Sequence, residues 1–180
     1  ITLIESRGET TFMINNDEMT HLSIEVGQAL LERKKTLTTA ESCTGGWIAK
    51  VITDIAGSSD YYHRGFVTYS NQAKHDMIGV DEQTLSDFGA VSEQVVCEMA
   101  KGALLTANAD YAVSVSGIAG PGGGSEEKPV GLVWFGFAIK TPEGLRVVAK
   151  HCIFSGSREE VRAKSVIFSL KSILKEIINN

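Results

Sequence analysis

Apolar residues recur every three or four positions in several stretches of the chain, a spacing that predicts amphipathic helices. These stretches are 17–34, 47–57, 71–78, 92–104 and 158–177. Ser157 and Glu160 form the sequence of a capping box before the last stretch. Ser92, and either Ser70 or Asn71, are candidate N-caps for two others. The hydrophobic pattern therefore predicts helices distributed along the whole chain.

Shorter stretches between them are rich in β-branched residues or alternate apolar and polar side chains, which predicts strands. They are 36–40, 65–69, 111–116, 130–139 and 145–154. The turn Pro142-Glu143-Gly144 joins the last two and predicts a hairpin. Because strands alternate with helices and end in a hairpin, we predict one three-layer α/β/α domain with a mixed β-sheet.

The predicted domain covers residues 17–180, and a length of 180 residues suits one domain. Residues 1–16 carry little hydrophobic periodicity. We expect them to be a leader or linker, disordered or foreign to the native chain, with Met13 as a candidate native start.

Charge and composition exclude several classes of function. The net charge of -5 argues against a broad nucleic-acid surface, which needs clustered Lys and Arg. We find no apolar run long enough for a membrane span and no signal peptide. The three cysteines are far apart and their number is odd, so we expect a reducing compartment and a cytoplasmic location. The four histidines lack metal-ligand spacing, and we expect no metal site.

The strongest local signal for chemistry is the segment 38–46, Thr-Thr-Ala-Glu-Ser-Cys-Thr-Gly-Gly. A predicted strand ends there, a hydroxyl and a thiol follow, and a helix begins after two glycines. Such a turn can expose a nucleophile, Ser42 or Cys43, beside unpaired helix N–H groups. The same residue types also occur at ordinary helix caps, so the turn alone leaves both interpretations open.

Lys74 falls in the first turn of a predicted helix that follows a strand. The field of the helix disfavours a cation there and lowers its pKa. A lysine that serves as a general base near neutral pH needs its pKa lowered by roughly three units, about 4 kcal/mol, which requires burial as well. A solvated surface lysine is the alternative interpretation.

Two further features are suited to binding an anion. The loop 117–125 contains many glycines directly after a predicted strand, so its N–H groups can converge on a phosphate. Arg158 opens the last predicted helix, where a cation opposes the helix field but can help to hold an anion. A mobile surface loop, and an Arg158 that is solvated or paired with Glu41 or Glu127, are the alternatives.

Taken together, these motifs resemble one family, the C-terminal domain of the competence/damage-inducible protein CinA. The resemblance is to its stand-alone members, which are nicotinamide-nucleotide amidases, and it covers about residues 17–178. The matching segments are 39–46, 65–71 with Lys74, 89–92, 116–123 and 128–131, together with Arg158 and Arg162.

The resemblance implies an amidohydrolase that converts nicotinamide mononucleotide to nicotinic acid mononucleotide and ammonia. It implies that Ser42 is the nucleophile, Lys74 its general base, and Tyr69 a residue that orients Lys74 or relays a proton. No metal or organic cofactor is required, the substrate is a small molecule, and a homodimer is implied.

Adding the chemistry of covalent catalysis, we expect N–H groups around Thr44, Gly45 and Gly46 to stabilise an oxyanion. The substrate phosphate is expected near Arg158 or the loop 116–123, which includes Ser116, Gly117 and Gly120. Two alternatives remain open: a cysteine amidohydrolase that uses Cys43, and a non-catalytic nucleotide-binding module.

Overall fold

A computed structural model describes the backbone of residues 7–180 and the side chains from residue 16 onward. Its helices are α1 (Arg7–Arg33), α2 (Trp47–Thr53), α3 (Asn71–Ile78), α4 (Glu82–Phe88), α5 (Glu93–Ala107) and α6 (Arg158–Asn179). Its strands are β1 (Leu37–Glu41), β2 (Phe66–Val67), β3 (Tyr111–Gly117), β4 (Leu132–Thr141) and β5 (Gly144–Ile153). One 3-10 turn occupies Ser58–Asp60.

The strands form one mixed sheet, as predicted, in the order β2-β1-β3-β4-β5. β1 pairs in parallel with β2 and with β3, whereas β4 and β5 form an antiparallel hairpin added to β3. The loop of that hairpin is Pro142-Glu143, as its sequence indicated. The alternation of helices and strands therefore predicted the class of sheet correctly.

Helices cover both faces of the sheet, which confirms the three layers. α1, α2 and α6 pack on one face against a core that includes Val113, Val115 and Phe135. α3, α4 and α5 cover the other face, where the sheet presents smaller side chains such as Ala40 and Ala112. Successive residues of a strand point to opposite faces, so β3 supplies Val113 to one core and Ala112 to the other.

Several element boundaries differ from the predictions. Helix α1 begins at Arg7 instead of Asp17, so residues 7–16 are helical, and the expected leader beyond them (residues 1–6) lies outside the described residues. Helix α4 was missed because it has only two apolar residues, Leu85 and Phe88, although Asp81 caps it through the Gln83 N–H. The strand predicted over 65–69 is reduced to Phe66–Val67. None of the described helices is long and apolar enough to cross a membrane.

The parallel strands determine where the candidate residues meet. Parallel neighbours end at the same edge of a sheet, and ligands of open α/β sheets bind at that edge. Ser42 follows β1, Thr68 follows β2, and Ser116 lies near the end of β3. The edge formed by these strand ends is the place to look for chemistry.

Candidate active site

Ser42 stands at the start of a tight turn between β1 and α2. Its N–H donates to the carbonyl of Val115 on β3 at 3.0 Å, and its carbonyl accepts from the Gly45 N–H at 3.0 Å. Gly45 and Gly46 have φ of 61° and 95°, a left-handed conformation that glycine adopts without strain. The two glycines predicted in this turn therefore allow the chain to reverse directly behind Ser42.

The carboxylate of Glu41, which the sequence suggested only as a partner for Arg158, supports the turn from inside the protein. The side chain is fully buried and accepts from the N–H of Ile48 at 2.9 Å and of Ala49 at 3.0 Å, at the start of α2. Burial raises its pKa, while hydrogen bonds from Ala49, Ile48 and Gly46 act in the opposite direction. Glu41 therefore anchors α2 to the end of β1, immediately before Ser42.

Lys74 is brought to Ser42 from the first turn of α3, which Ser70 caps through the Ala73 N–H. Only 1% of its surface is exposed. Its Nζ lies 3.0 Å from the Ser42 Oγ and donates to the carbonyl of Thr68 at 2.8 Å. The two residues that were singled out separately in the sequence are thus in hydrogen-bond contact, and the surface-lysine alternative for Lys74 is excluded.

Burial lowers the pKa of Lys74 from 10.5 to about 8. The cause is desolvation, which penalises the charged ammonium, and the two neighbours described above are neutral oxygens that do not restore the lost hydration. With a pKa of about 8, about one molecule in ten carries a neutral Lys74 amine at pH 7. That neutral amine has a lone pair within reach of the Ser42 proton.

Cys43, the rival nucleophile, has the opposite electrostatic setting. It is 7% exposed, and burial raises its pKa to about 11. A thiolate is the reactive form of cysteine, so the thiol is almost wholly protonated and unreactive at neutral pH. The comparison of Cys43 with Ser42 favours the hydroxyl, because only the hydroxyl contacts a base.

Tyr69 has a different partner from the one expected. Its side chain is 61% exposed, and its hydroxyl accepts from the Arg158 Nη2 at 3.0 Å instead of contacting Lys74. Among the described residues, the oxygens that hold Lys74 Nζ come from Ser42 and Thr68. Tyr69 therefore makes no hydrogen bond to Lys74, and the backbone carbonyl of Thr68 holds the amine instead. The role implied for Tyr69, to orient Lys74 or relay a proton, stays a prediction.

Arg158 joins Tyr69 to the glycine-rich loop. Its Nη1 donates to the carbonyl of Gly120 at 2.8 Å, and it makes no ion pair with Glu41 or Glu127 within the described part of the chain. Gly120 has a φ of 82°. Ser116 is buried at the end of β3, next to the Val115 carbonyl that holds Ser42. The expected binding residues therefore lie around the same sheet edge as the dyad.

Gly117 has a packing role where a ligand was expected. A Cβ at this position would lie 2.7 Å from the Val133 side chain and 2.9 Å from the Leu132 carbonyl. Such contacts are shorter than real Cβ atoms show, so glycine is needed for β3 to pair with β4. The close backbone approach predicted at this glycine is to a neighbouring strand.

The N–H groups expected to stabilise an oxyanion are only partly free. The Gly45 N–H donates to the Ser42 carbonyl, and the Gly46 N–H is directed at the Glu41 carboxylate. Among the described residues, the Thr44 N–H has no protein acceptor, and the Cys43 N–H has only its own Sγ. Gly45 and Gly46 are thus engaged elsewhere, and the donors left for an oxyanion are the N–H groups of Thr44 and Cys43.

Arg162 on α6 holds the same turn from its outer side. Its Nε donates to the Cys43 carbonyl and its Nη2 to the Thr44 carbonyl, both at 3.0 Å. Its guanidinium also lies over the Trp47 ring, 5.3 Å from the centroid. A cavity of about 670 Å³ borders these residues, but neither Ser42 nor Lys74 lines it. We therefore do not assign the reacting groups to this cavity.

No group of three or more His, Cys, Asp and Glu side chains within the described residues is arranged to hold a metal ion. The charged and nucleophilic groups at the sheet edge are Glu41, Ser42 and Lys74, with Arg158 and Arg162 beside them. This set offers a nucleophile, a base and N–H donors, which is what covalent acyl transfer requires.

Comparison with known proteins identifies the family of the chain. Residues 19–177 match the CinA C-terminal domain. The chain belongs to the CinA C-terminal domain family. The nicotinamide-nucleotide amidohydrolase PncC of Escherichia coli K12 is 59% identical over 167 residues, which are 93% of this chain and 99% of that protein.

Other relatives show the same domain in different settings. A CinA-like protein of Endomicrobium trichonymphae is 46% identical over 170 residues, which are 94% of this chain but 38% of that protein. The crystal structure of the competence/damage inducible protein CihA from Agrobacterium tumefaciens superposes with a TM-score of 0.83 at 41% identity, covering 97% of this chain and 98% of that one. The fold thus occurs both alone and as part of longer chains.

Proposed function

We propose that this protein is an amidohydrolase that deamidates nicotinamide mononucleotide to nicotinic acid mononucleotide and ammonia, with Ser42 and Lys74 as a catalytic dyad. The observation that carries the proposal is the 3.0 Å contact between the Ser42 Oγ and a buried Lys74 whose pKa is lowered to about 8. The name of the E. coli relative, 59% identical, supports the choice of substrate.

The first half of the reaction forms an acyl-enzyme. Neutral Lys74 takes the proton of Ser42 as Oγ attacks the carboxamide carbon, and the carbonyl oxygen becomes an oxyanion beside the N–H groups of Cys43 and Thr44. The resulting Lys74 ammonium returns its proton to the amide nitrogen. The C–N bond then breaks, ammonia leaves, and a nicotinoyl ester of Ser42 remains.

The second half returns the enzyme to its starting state. Lys74, neutral again, takes a proton from water, and the hydroxide formed attacks the ester carbonyl. Collapse of this second oxyanion breaks the bond to Oγ, which recovers its proton from Lys74, and nicotinic acid mononucleotide is released. No step needs a metal or an organic cofactor, because the serine supplies the nucleophile and the lysine moves every proton.

We propose that the nucleotide lies along the sheet edge, with its phosphate near Arg158 and the loop that contains Ser116 and Gly120. Arg158 places a cation beside exposed Tyr69, and the loop contributes backbone groups. The homodimer and the cytoplasmic location implied by the resemblance are also retained as proposals. Light scattering of the purified protein tests the dimer.

Ammonia release from purified protein tests the substrate. Nicotinamide mononucleotide should be deamidated, and free nicotinamide should react far more slowly, because binding energy from the remote phosphate is used in the transition state. Equal kcat/KM for the two compounds would exclude a nucleotide site. Binding of the nucleotide without ammonia release would instead identify a non-catalytic binding module.

A further inference from the structure

Arg162 contacts the nucleophile turn only through main-chain carbonyls and one aromatic ring. Within the described residues it has no carboxylate partner closer than 4.0 Å, although it is partly buried. Its two hydrogen bonds reach residues 119 and 118 positions away in the chain, Cys43 and Thr44. An arginine side chain loses much conformational freedom in such a clamp, so the contact calls for an explanation.

Because a peptide bond is planar, the two hydrogen bonds from Arg162 also fix the N–H groups on the opposite side of the turn. The Cys43 carbonyl and the Thr44 N–H belong to the same trans peptide and point in opposite directions. Because Arg162 Nε holds that carbonyl at 3.0 Å, the Thr44 N–H is directed away from Arg162. The next peptide is fixed in the same way, through the Thr44 carbonyl and the Gly45 N–H.

The Thr44 N–H therefore lies on the side of the turn away from Arg162. In a turn where the Ser42 carbonyl accepts from Gly45, the N–H two residues after Ser42 has the place that points toward the first side chain at a helix N-terminus. The positive guanidinium on the carbonyl side also polarises both peptides and strengthens their N–H groups as donors.

We propose that Arg162 is a positioning residue for the oxyanion site: by holding the carbonyls of Cys43 and Thr44, it aims the Thr44 N–H at the oxyanion formed on the acyl group of Ser42. This inference rests on the proposed function. Arg162 does not touch the substrate, and its effect is exerted through the peptide groups of the turn.

The position of Trp47 supports a built clamp. Trp47 begins α2, directly after the turn, and its ring lies under the guanidinium. The ring limits the movement of the guanidinium on that side, while the two hydrogen bonds hold it from the other. A lysine at the same position keeps the charge but lacks the planar fork, so it can hold one carbonyl but not both in fixed orientation.

The test is Arg162→Lys, with Arg146→Lys as the matched control. Arg146 is also a hydrogen-bonded arginine, but it pairs with Glu176 far from the turn. Both variants are assayed with nicotinamide mononucleotide and with p-nitrophenyl nicotinate, an activated ester that needs the oxyanion site but no nucleotide recognition. Melting temperatures are measured so that the assays run well below unfolding.

We expect Arg162→Lys to lower kcat by roughly 10- to 100-fold on both compounds, since loss of a whole oxyanion donor lowers kcat by about 10²–10³. KM should stay within about twofold, and the midpoint of the pH–rate profile should not move, because Lys74 is untouched. Arg162→Met should be lower still, and Arg146→Lys should match the wild type.

The outcomes separate this inference from the proposed function. An active wild type with an unchanged kcat in Arg162→Lys overturns the role of Arg162 alone. Equal losses in Arg162→Lys and Arg146→Lys, or a loss that appears only in KM, would show a merely structural contact. A wild type that cleaves the ester but not the nucleotide contradicts the proposed substrate and leaves the ester assay to decide on Arg162. A wild type inactive on both compounds overturns both proposals.

Discussion

Two buried ionisable side chains, Glu41 and Lys74, flank Ser42, and they differ in the groups that surround them. Glu41 is the last residue of β1, and its carboxylate lies at the start of α2, where it accepts from the N–H groups of Ile48 and Ala49. Lys74 lies in the first turn of α3, and its Nζ contacts only neutral oxygens of Ser42 and Thr68 among the described residues. One helix start is closed by a carboxylate of suitable charge, and the other contains a cation that its field disfavours.

The difference separates the residue that fixes structure from the residue that performs chemistry. A buried carboxylate surrounded by donors stabilises the geometry of the turn. A buried ammonium without a counter-charge costs free energy on folding, and this cost appears as the lowered pKa that a general base needs. The same degree of burial therefore gives a scaffold on one side of Ser42 and a proton acceptor on the other.

Removing the chemistry should have the largest effect. Ser42→Ala and Lys74→Ala should each lower kcat by about 10³-fold or more, because either change disables the same proton transfer. The double variant should be little worse than either single one. Ammonia release under saturating substrate measures this, and a folded, active Ser42→Ala would exclude Ser42 as the nucleophile.

The cost of burying Lys74 should be visible as stability. Its pKa is about 8 when folded and 10.5 as the ordinary value, a difference equivalent to about 3 kcal/mol. Since the unfolded chain binds the extra proton, wild-type stability should rise with pH between about 8 and 10.5. Lys74→Met should be more stable at pH 7 by up to that amount, and the gain should shrink above pH 8. Urea unfolding of both proteins at pH 7 and above pH 8 compares their free energies of unfolding. A Lys74→Met protein that is no more stable than the wild type at pH 7 would contradict this prediction.

Replacing Glu41, in contrast to Lys74, should destabilise the protein. Glu41→Gln places an amide NH₂ against N–H donors and leaves a buried mismatch, so we expect a loss of about 1–3 kcal/mol in the free energy of unfolding. Activity should fall through disorder of the turn, without a shift of the pH midpoint. Urea unfolding and a pH–rate profile test both parts. A shifted midpoint would mean that Glu41 acts on Lys74 directly.

The pH dependence should follow the neutral form of Lys74. With a pKa of about 8, kcat/KM should rise about ninefold from pH 7 to pH 9, because the neutral fraction rises from about one tenth to nine tenths. The sign is fixed by the role: a base works when unprotonated. A profile that falls across this range would exclude Lys74 as the base.

The smallest effect is expected at the neighbouring thiol. Cys43→Ala should keep kcat within about threefold, because burial holds that thiol protonated, with a pKa of about 11. The midpoint of the pH profile should also stay near 8. Loss of activity in Cys43→Ala, together with full activity in Ser42→Ala, would transfer the nucleophile to the cysteine.

Local signals in the sequence were enough to make Ser42 and Lys74 candidates, because each lies within a short strand–turn–helix pattern. The resemblance to a known family, and not the local pattern, implied their roles. The order of strands and helices predicted the mixed sheet. The short helix α4 was missed because two apolar residues, Leu85 and Phe88, are too few to show a period.

The remaining parts depend on contacts between distant segments. Thr68 contacts Lys74 through its backbone carbonyl. Every residue type has this group, so the sequence does not mark the position. Arg162 is separated by more than a hundred positions from the carbonyls it holds. The contact of Tyr69 with Arg158 could not be expected from the sequence, because only the packing of α6 brings the two side chains together.

The pairing of β1 between β2 and β3 has a consequence for the timing of activity. Ser42 is held by the carbonyl of Val115 on β3, and Lys74 by the carbonyl of Thr68 directly after β2. A chain still leaving the ribosome has an ordinary, protonated lysine near pKa 10.5 and a serine with no base. The serine and its base come into contact only when β1, β2 and β3 have paired. The protein therefore becomes able to hydrolyse its substrate when the sheet is assembled, and not before.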